Sequence, residues 1–253
     1  MKPDKIRRIL TIFLSFHVLS LFFAVETFAL DFLLQRTSDY TAQKPSVIEV
    51  AQVPGAIEFE WAFVAVNEPA GKNEIINIAK IVSNPGSEMP VIKEGDNISF
   101  YVEPGENTYV YIYMLDSSGN IDLIFPTSLD KNVIKSELTA GKKNYIPGKY
   151  EWFSVDDKKG TETYYLLASS QPLDKLEDLT KDYINAEGDQ ETTKQMILNE
   201  IKGQKKTYAF GNPVEEPISF GGRIRGIKKD IAMMAVEVKG KDFYSKTIKL
   251  KHE

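Results

Sequence analysis

The stretch YVEPGENTYVYIYMLDSSGNIDLIFP, residues 101–126, contains two apolar, aromatic-rich runs separated by turn residues. In the first run, valine, isoleucine and methionine alternate with Tyr109, Tyr111 and Tyr113. Successive side chains of a strand point to opposite faces, so both faces of this strand are apolar and need cover. Because Ser118-Gly119 is a turn signal between two strands, the stretch predicts a β-hairpin.

Strand-like runs continue on both sides of this hairpin. The run IEFEWAFVAV from Ile57 alternates apolar and polar residues, a pattern typical of a half-buried strand. Further runs, separated by glycine and proline turn signals, span 74–82, 97–103, 107–115, 120–125, 151–155 and 161–168. Regular short strands with such punctuation favour an antiparallel sandwich or barrel.

The helical signal is confined to about residues 171–202. One helix is predicted after Ser170, a candidate N-cap, and a second over 190–202, before Gly203. Strand character returns within 206–250, in the runs 206–210, 231–238 and 243–250. We therefore predict a mainly β protein, an antiparallel β-sandwich with two inserted helices and a C-terminal β segment.

The N-terminus has the order of a secretory signal peptide. Basic residues precede an apolar run over 9–25, and small residues then offer cleavage after Ala29. An uncleaved membrane anchor is the alternative. Cleavage would divide the chain into a signal peptide (1–29), a poorly ordered lead-in (30–56) and a single β-rich domain (57–253). No cysteine follows the site for lipid attachment, so we expect a periplasmic or extracellular protein without a stable membrane anchor.

The charge balance limits the partners. Residues 1–29 contain four basic and two acidic residues, so their removal leaves 27 Lys and Arg against 34 Asp and Glu, a net charge of −7. Non-specific nucleic-acid binding depends on neutralising phosphates, and an acidic chain is unsuited to it. We expect no nucleic-acid partner, and instead a protein or cell-envelope component.

Histidine and cysteine usage excludes several kinds of active site. The chain has no cysteine and two histidines, His17 within the predicted signal peptide and His252 next to the C-terminus. One terminal histidine cannot supply a Ser-His-Asp triad, a Cys-His dyad or a standard zinc site. The sequence therefore predicts a protein that is not an enzyme and has no cofactor or metal.

Carboxylates leave an alternative open. A glycan hydrolase needs two of them, one to protonate the leaving oxygen and one to attack or to activate water. Candidates are Glu58 and Glu60 on one strand face, Asp156 and Asp157 in a turn, and Glu162 at the start of a strand. Exposed acids are more commonly solvated and without a catalytic role.

Two loops carry weaker candidates. The segment DSSGNID places Asp116 and Asp122 as possible calcium ligands, although it lacks the closing glutamate of an EF-hand, and a hairpin turn explains it more simply. The basic run GGRIRGIKK at 221–229 predicts a flexible hairpin edge, with docking of an anion or partner as the alternative. It matches neither phosphate-binding glycine motif.

The tyrosine face of the central strand has two interpretations. Tyr109, Tyr111 and Tyr113, together with Trp152, could form an aromatic platform that binds a sugar or a peptide. Alternatively, the amphipathic helix from Pro172 covers the tyrosines, which is the more common arrangement for such a ladder.

Several motifs, taken together, resemble the bacterial domain of unknown function 4384 family and its secreted, stand-alone members. The likeness covers about 85 residues within 95–179. The motifs are Gly95-Asp96, Tyr109–Ile112, Asp116–Gly119, Phe125-Pro126, Gly160–Glu162 and Leu167–Ser169. The resemblance implies an accessory or recognition role and no catalytic residue. We therefore expect an exported, noncatalytic binding or interaction domain of the bacterial cell envelope. A glycan hydrolase and a structural scaffold are the alternatives.

Overall fold

The computed structural model describes residues 55–67, 74–84, 86–129, 136–208, 213–221 and 232–253. These residues belong to one compact unit, Val50–Glu253. The predicted signal peptide with its cleavage site at Ala29, most of the lead-in and the basic run beyond Gly221 lie outside the described residues.

The secondary-structure elements follow one another along the chain in a β-rich order that is interrupted by one short and two longer helices. They are β1 (Ala56–Asn67), β2 (Glu74–Asn77), α1 (Ile78–Val82), β3 (Val91–Ile92), β4 (Asn97–Pro104), β5 (Thr108–Leu115), β6 (Ile121–Phe125), β7 (Glu137–Leu138), β8 (Asn144–Ile146), β9 (Phe153–Ser154), β10 (Gly160–Ser169), α2 (Asp174–Ile184), α3 (Gln190–Thr207), β11 (Val214–Gly221), β12 (Ala232–Lys241) and β13 (Phe243–His252).

Two sheets form the sandwich that the sequence predicts. The first has the order β11-β12-β1-β4-β8, with β2 paired to β1 and β9 paired to β4. The second has the order β3-β13-β10-β5-β6, with β7 paired to β5. The pairs are antiparallel except for β3 and β13, which run parallel. The prediction of a mainly β, antiparallel sandwich is confirmed.

The main core lies between the two sheets. From β1, the apolar members of the alternating pattern, among them Phe59, Trp61 and Phe63, are buried there. Phe63 stacks on Phe100 of β4 with ring centroids 3.8 Å apart and contacts Tyr164 of β10 edge-on at 5.1 Å. Buried apolar surface of this extent is the principal force that holds the sheets together.

The outer face of the second sheet is covered by α2 and α3. Tyr111, Tyr113 and Leu167 of the sheet are buried in one cluster with Leu176 of α2 and Ile197 of α3. Because β5 contributes Val110 and Ile112 to the inter-sheet core as well, both of its faces are covered. This is the arrangement that its doubly apolar pattern requires.

Some boundaries differ from the sequence-based expectation. The run 74–82 is a strand only to Asn77, whose side chain accepts a 2.9 Å hydrogen bond from the Lys80 amide and caps α1. Helix α2 is capped at Leu173 instead of Ser170. Helix α3 continues through Gly203 to Thr207, so the predicted strand at 206–210 is wrong over its described part. The sequence also missed β11.

Among the helices of the described residues, each is too short or too polar to cross a membrane.

Candidate functional site

Tyr111 and Tyr113 do not form a surface platform, which corrects the binding interpretation of these residues. They are 0% and 1% exposed beneath α2. The Tyr111 hydroxyl donates to Glu177 Oε1 at 2.7 Å and accepts from the Leu173 amide at 3.1 Å. Tyr113 hydrogen-bonds Thr180 Oγ1 at 3.0 Å. Both residues are therefore covered by the amphipathic helix, as the alternative interpretation of the tyrosine face expects.

Tyr109 and Trp152, the other two platform candidates, lie on different sheets. Tyr109 is half-buried and packs against the cluster beneath the helices. Trp152 is half-buried against a separate cluster that contains Tyr101 and Ala235 on the outer face of the first sheet. The four candidate residues therefore do not share one aromatic surface.

The two glutamates of β1 lie on the outer face of the first sheet. Glu58 is exposed, and its Oε1 lies 3.5 Å from Lys239 Nζ of the neighbouring strand. Glu60 is partly buried, and this burial, with the nearby Glu103 and Glu237 carboxylates, raises its pKa. Neither residue lines the cleft described next.

An acidic cleft opens at one rim of the sandwich, with a volume of about 280 Å³. Its carboxylates come from two separate chain segments, the β5–β6 hairpin and the chain from β9 into β10. Those that line it are Asp116, Asp122, Asp156 and Glu162. We refer to this feature as the acidic cleft.

The strand register explains why these carboxylates meet. In the second sheet, β5 and β13 end where β6 and β10 begin, since Leu115 pairs with both Ile121 and Thr163, and Gly160 pairs with His252. Gly160 has a φ of +145°, and a Cβ there would lie 2.5 Å from the Ser117 Cβ. Glycine at this position therefore allows the β5–β6 turn to approach the start of β10.

The first sheet supplies the opposite wall. Strand β9 pairs with β4, and the Val155 amide then donates to the Asp96 carbonyl at 2.8 Å. The chain crosses from this point to β10, and the crossing places Asp156 at the mouth of the acidic cleft. Asp157, the next residue, is exposed and does not line it.

Asp116 and Asp122 lie at the two ends of the β5–β6 turn. Asp116 accepts hydrogen bonds from the Asn120 amide at 2.7 Å and from Asn120 Nδ2 at 2.9 Å, as the hairpin interpretation expects. Burial of the Asp122 carboxyl in the cleft wall raises its pKa, the Asp116 charge raises it further, and Lys158 opposes both effects. The cleft therefore disfavours additional negative charge.

Glu162 is held rigidly in the cleft wall. It lies on the inward face of β10, and the hydroxyl of Tyr164 donates to its Oε2 at 2.9 Å. Burial and the adjacent Glu162 charge raise the pKa of Tyr164 far above its usual range, so this hydroxyl remains a donor. Glu162 is consequently oriented with its other oxygen, Oε1, directed at His252.

His252 is the residue that sequence reasoning missed. It is 2% exposed, and its Nδ1 lies 3.3 Å from Glu162 Oε1, yet neither ring nitrogen makes a hydrogen bond within the described residues. One ligand atom from each of His252, Glu162 and Asp156 lies within 4.8 Å of the others. The sequence did contain a signal that His252 is buried. Ile248 and Leu250 face the core, and the period-two alternation of the strand places His252 on the same face.

The arrangement brings together what a cation requires. Carboxylate oxygens and an imidazole nitrogen are the usual ligands of divalent metals, and a cluster of like charges at a cleft attracts cationic groups in general. Convergence of two carboxylates in one concave site is also a requirement of the hydrolase alternative, and Asp156 with Glu162 meets that requirement.

Comparison with known proteins identifies one family. Residues 91–172 match the family described as Domain of unknown function (DUF4384). The matched segment runs from β3 to the residue before the α2 cap, so it contains all four carboxylates of the acidic cleft and leaves out His252. No curated protein matches the chain.

Proposed function

We propose that this protein, which carries a domain of the DUF4384 family over residues 91–172, is an exported, noncatalytic binding domain of the bacterial cell envelope that holds a cationic group of its partner in the acidic cleft. The observation that carries the proposal is the convergence of Asp116, Asp122, Asp156 and Glu162 from two chain segments on one cleft.

Electrostatics supports a cationic occupant. Burial in the cleft raises the pKa of Asp122, and the neighbouring Asp116 charge raises it further. Lys158 is the basic side chain among the residues that line the cleft. A bound cation would offset the repulsion, and partial burial would make its attraction stronger than at an open surface.

Export is supported by the N-terminal sequence, and the binding role by the position of the cleft. The cleft lies at the rim of a rigid sandwich, where loops between strands meet, and binding residues commonly occupy loops that a rigid scaffold positions. A scaffold protein, the structural alternative, would not require converging carboxylates.

The test is retention of an envelope component by the immobilised protein. The wild-type chain, Asp122→Asn and Asp157→Asn are each exposed to the same detergent-solubilised envelope extract. We expect wild type and Asp157→Asn to retain the same component, and Asp122→Asn to retain at least fivefold less. Equal retention by all three proteins would remove the acidic cleft as the binding surface.

A glycan hydrolase is the second candidate, favoured specifically by the proximity of Asp156 and Glu162. Its test is release of reducing ends from envelope glycans by the purified protein. Under the proposed binding function no release occurs. Turnover that Glu162→Gln abolishes and Asp157→Asn leaves intact would replace the binding function with a hydrolase.

A further inference from the structure

We propose that the acidic cleft binds a divalent transition-metal cation through Asp156, Glu162 and His252. This inference rests on the proposed function, because it places a metal ion in the same cleft, where the ion would help to hold the partner. It concerns a specific three-residue site in which the buried His252 joins Asp156 and Glu162 of the cleft, whereas Asp116 and Asp122 contribute charge to the same cleft.

The spacing of the ligand atoms fits a shared metal ion. His252 Nδ1 and Glu162 Oε1 lie 3.3 Å apart. Two ligand atoms that are each about 2.1 Å from a tetrahedral metal lie about 3.4 Å from one another. A carboxylate oxygen of Asp156, which is exposed, completes the set within 4.8 Å.

The state of His252 points independently to a ligand. Its side chain is completely buried, and both ring nitrogens lack hydrogen-bond partners within the described residues. A buried polar group without a partner is costly and is rarely kept in a folded protein. A metal between the imidazole and the carboxylates would satisfy the nitrogen that faces Glu162.

The surroundings supply the orientation that metal ligands need. The hydrogen bond from Tyr164 to Glu162 Oε2 leaves Oε1 to face the metal, and outer hydrogen bonds of this kind commonly fix metal-binding carboxylates. The Lys158 amide donates to Asp156 Oδ1 at 3.0 Å, which steadies the exposed ligand. The open mouth of the cleft provides the entry path and leaves a coordination position for water or a partner group.

The ligand set indicates the class of metal. One imidazole nitrogen with two carboxylate oxygens is a mixed set that suits zinc and its neighbours better than calcium or magnesium, which prefer oxygen alone. Zn²⁺ is therefore the probe of choice, and Co²⁺ is its spectroscopic substitute.

The experiment is calorimetric titration of the purified chain with Zn²⁺ after treatment with a chelator. Wild type is expected to bind one ion per chain. Asp156→Asn, which keeps the acceptor for the Lys158 amide, should bind at least tenfold more weakly. Asp157→Asn, the adjacent exposed acid outside the cluster, should bind like wild type. Absence of a one-to-one binding event, or equal affinity of the two variants, would overturn the inference.

Cobalt absorption tests His252 directly. Co²⁺ bound to the wild-type site should give visible bands that His252→Gln abolishes or shifts, while thermal melting confirms that the variant is folded. If His252→Gln unfolds, Glu162→Gln takes its place, since its side-chain oxygen still accepts from Tyr164. Bands that remain identical in a folded variant would exclude the substituted residue as a ligand.

The two proposals fail in different ways. Retention of an envelope component that depends on Asp122 but is unaffected by chelator would uphold the binding function and reject the metal. Tight Zn²⁺ binding that depends on Asp156, with no retained component, would uphold the metal site and reject the envelope partner.

Discussion

Tyr111 and Tyr113 occupy equivalent places on one strand face, but their hydroxyls have different hydrogen-bond partners. Tyr111 bridges the buried Glu177 carboxylate and the amide of Leu173, the residue that caps α2. Tyr113 contacts Thr180, whose hydroxyl donates separately to the Leu176 carbonyl at 2.7 Å. Loss of the Tyr111 hydroxyl removes one of the donors to the buried Glu177 carboxylate, leaving Ser136 Oγ at 3.0 Å, and also removes the acceptor of the Leu173 amide. Loss of the Tyr113 hydroxyl leaves Thr180 bonded to the Leu176 carbonyl.

Paired substitutions measure this difference. Tyr111→Phe is expected to lower the free energy of unfolding by about 2 to 3 kcal/mol, because a hydrogen bond to a charged group is lost in the interior. Tyr113→Phe, which removes the same atom, should cost about 1 kcal/mol. Urea unfolding of both variants checks the values, and equal costs would contradict the special role of Tyr111.

His252 illustrates which site residues sequence can reach. Histidine counting treats this penultimate residue as terminal and leaves it out of every candidate site. The structure continues β13 to His252 and pairs it with Gly160, so the side chain is buried. The alternation of β13 predicts its direction, whereas its proximity to Asp156 depends on a pairing between residues far apart in the sequence.

At the scale of elements, α2 is the cover that the tyrosine strand requires. Leu176 is fully buried in the cluster with Tyr111 and Tyr113, and α3 adds Ile197 and Ile201. The polar contacts of Tyr111 and Tyr113 then fix where α2 lies on the sheet. The apolar cluster supplies the larger part of the binding between helix and sheet.

Truncation of a buried and an exposed helical residue tests this arrangement. Leu176→Ala should lower the free energy of unfolding by about 2 to 5 kcal/mol through lost burial and a cavity. Met196→Ala on α3, where the side chain is 47% exposed, is the control and should change it by less than about 0.5 kcal/mol. Thermal or urea unfolding gives both numbers. A small effect of Leu176→Ala would mean that α2 is only loosely attached.

Element identity was largely predictable, but several boundaries were not. The strands β4, β5, β6 and β10 follow period-two patterns and lie where the sequence places them. Helix α3 runs through Gly203, since one glycine costs only about 1 kcal/mol and flanking turns that pack on the sheet compensate for it. The prediction from local propensity therefore ended α3 too early, because tertiary packing determines where this helix ends.

At the scale of the whole molecule, the acidic cleft is a product of topology. Asp116 and Asp122 belong to one hairpin, Asp156 to a crossing between sheets, and Glu162 and His252 to two strands paired over some ninety residues of chain. The sequence patterns identified each carboxylate in its own loop or strand. They did not predict that the carboxylates lie close together, because this depends on the order in which distant strands pair. Local sequence patterns predict individual strands far better than they predict the order in which those strands pair.

The buried tyrosines on the two faces of the second sheet imply a specific response to alkaline pH. Burial raises the pKa of Tyr111, Tyr113, Tyr164 and Tyr244 above the usual value of about 10. Their protonated state therefore contributes stability that is fully present below about pH 10. As the pH rises further, the unfolded chain loses these protons first, and the folded state is destabilised by up to about 1.4 kcal/mol per pH unit for each tyrosine.

Urea unfolding at about pH 8, 10 and 11 should accordingly show little change over the first interval and a steep loss of stability over the second. Phenolate absorbance recorded in parallel should show exposed tyrosines such as Tyr150 titrating gradually. Tyr111, Tyr113, Tyr164 and Tyr244 should titrate together with unfolding. Full titration near pH 10 in a chain that retains its circular dichroism would contradict the burial of these tyrosines, and with it the packing of both faces of the second sheet.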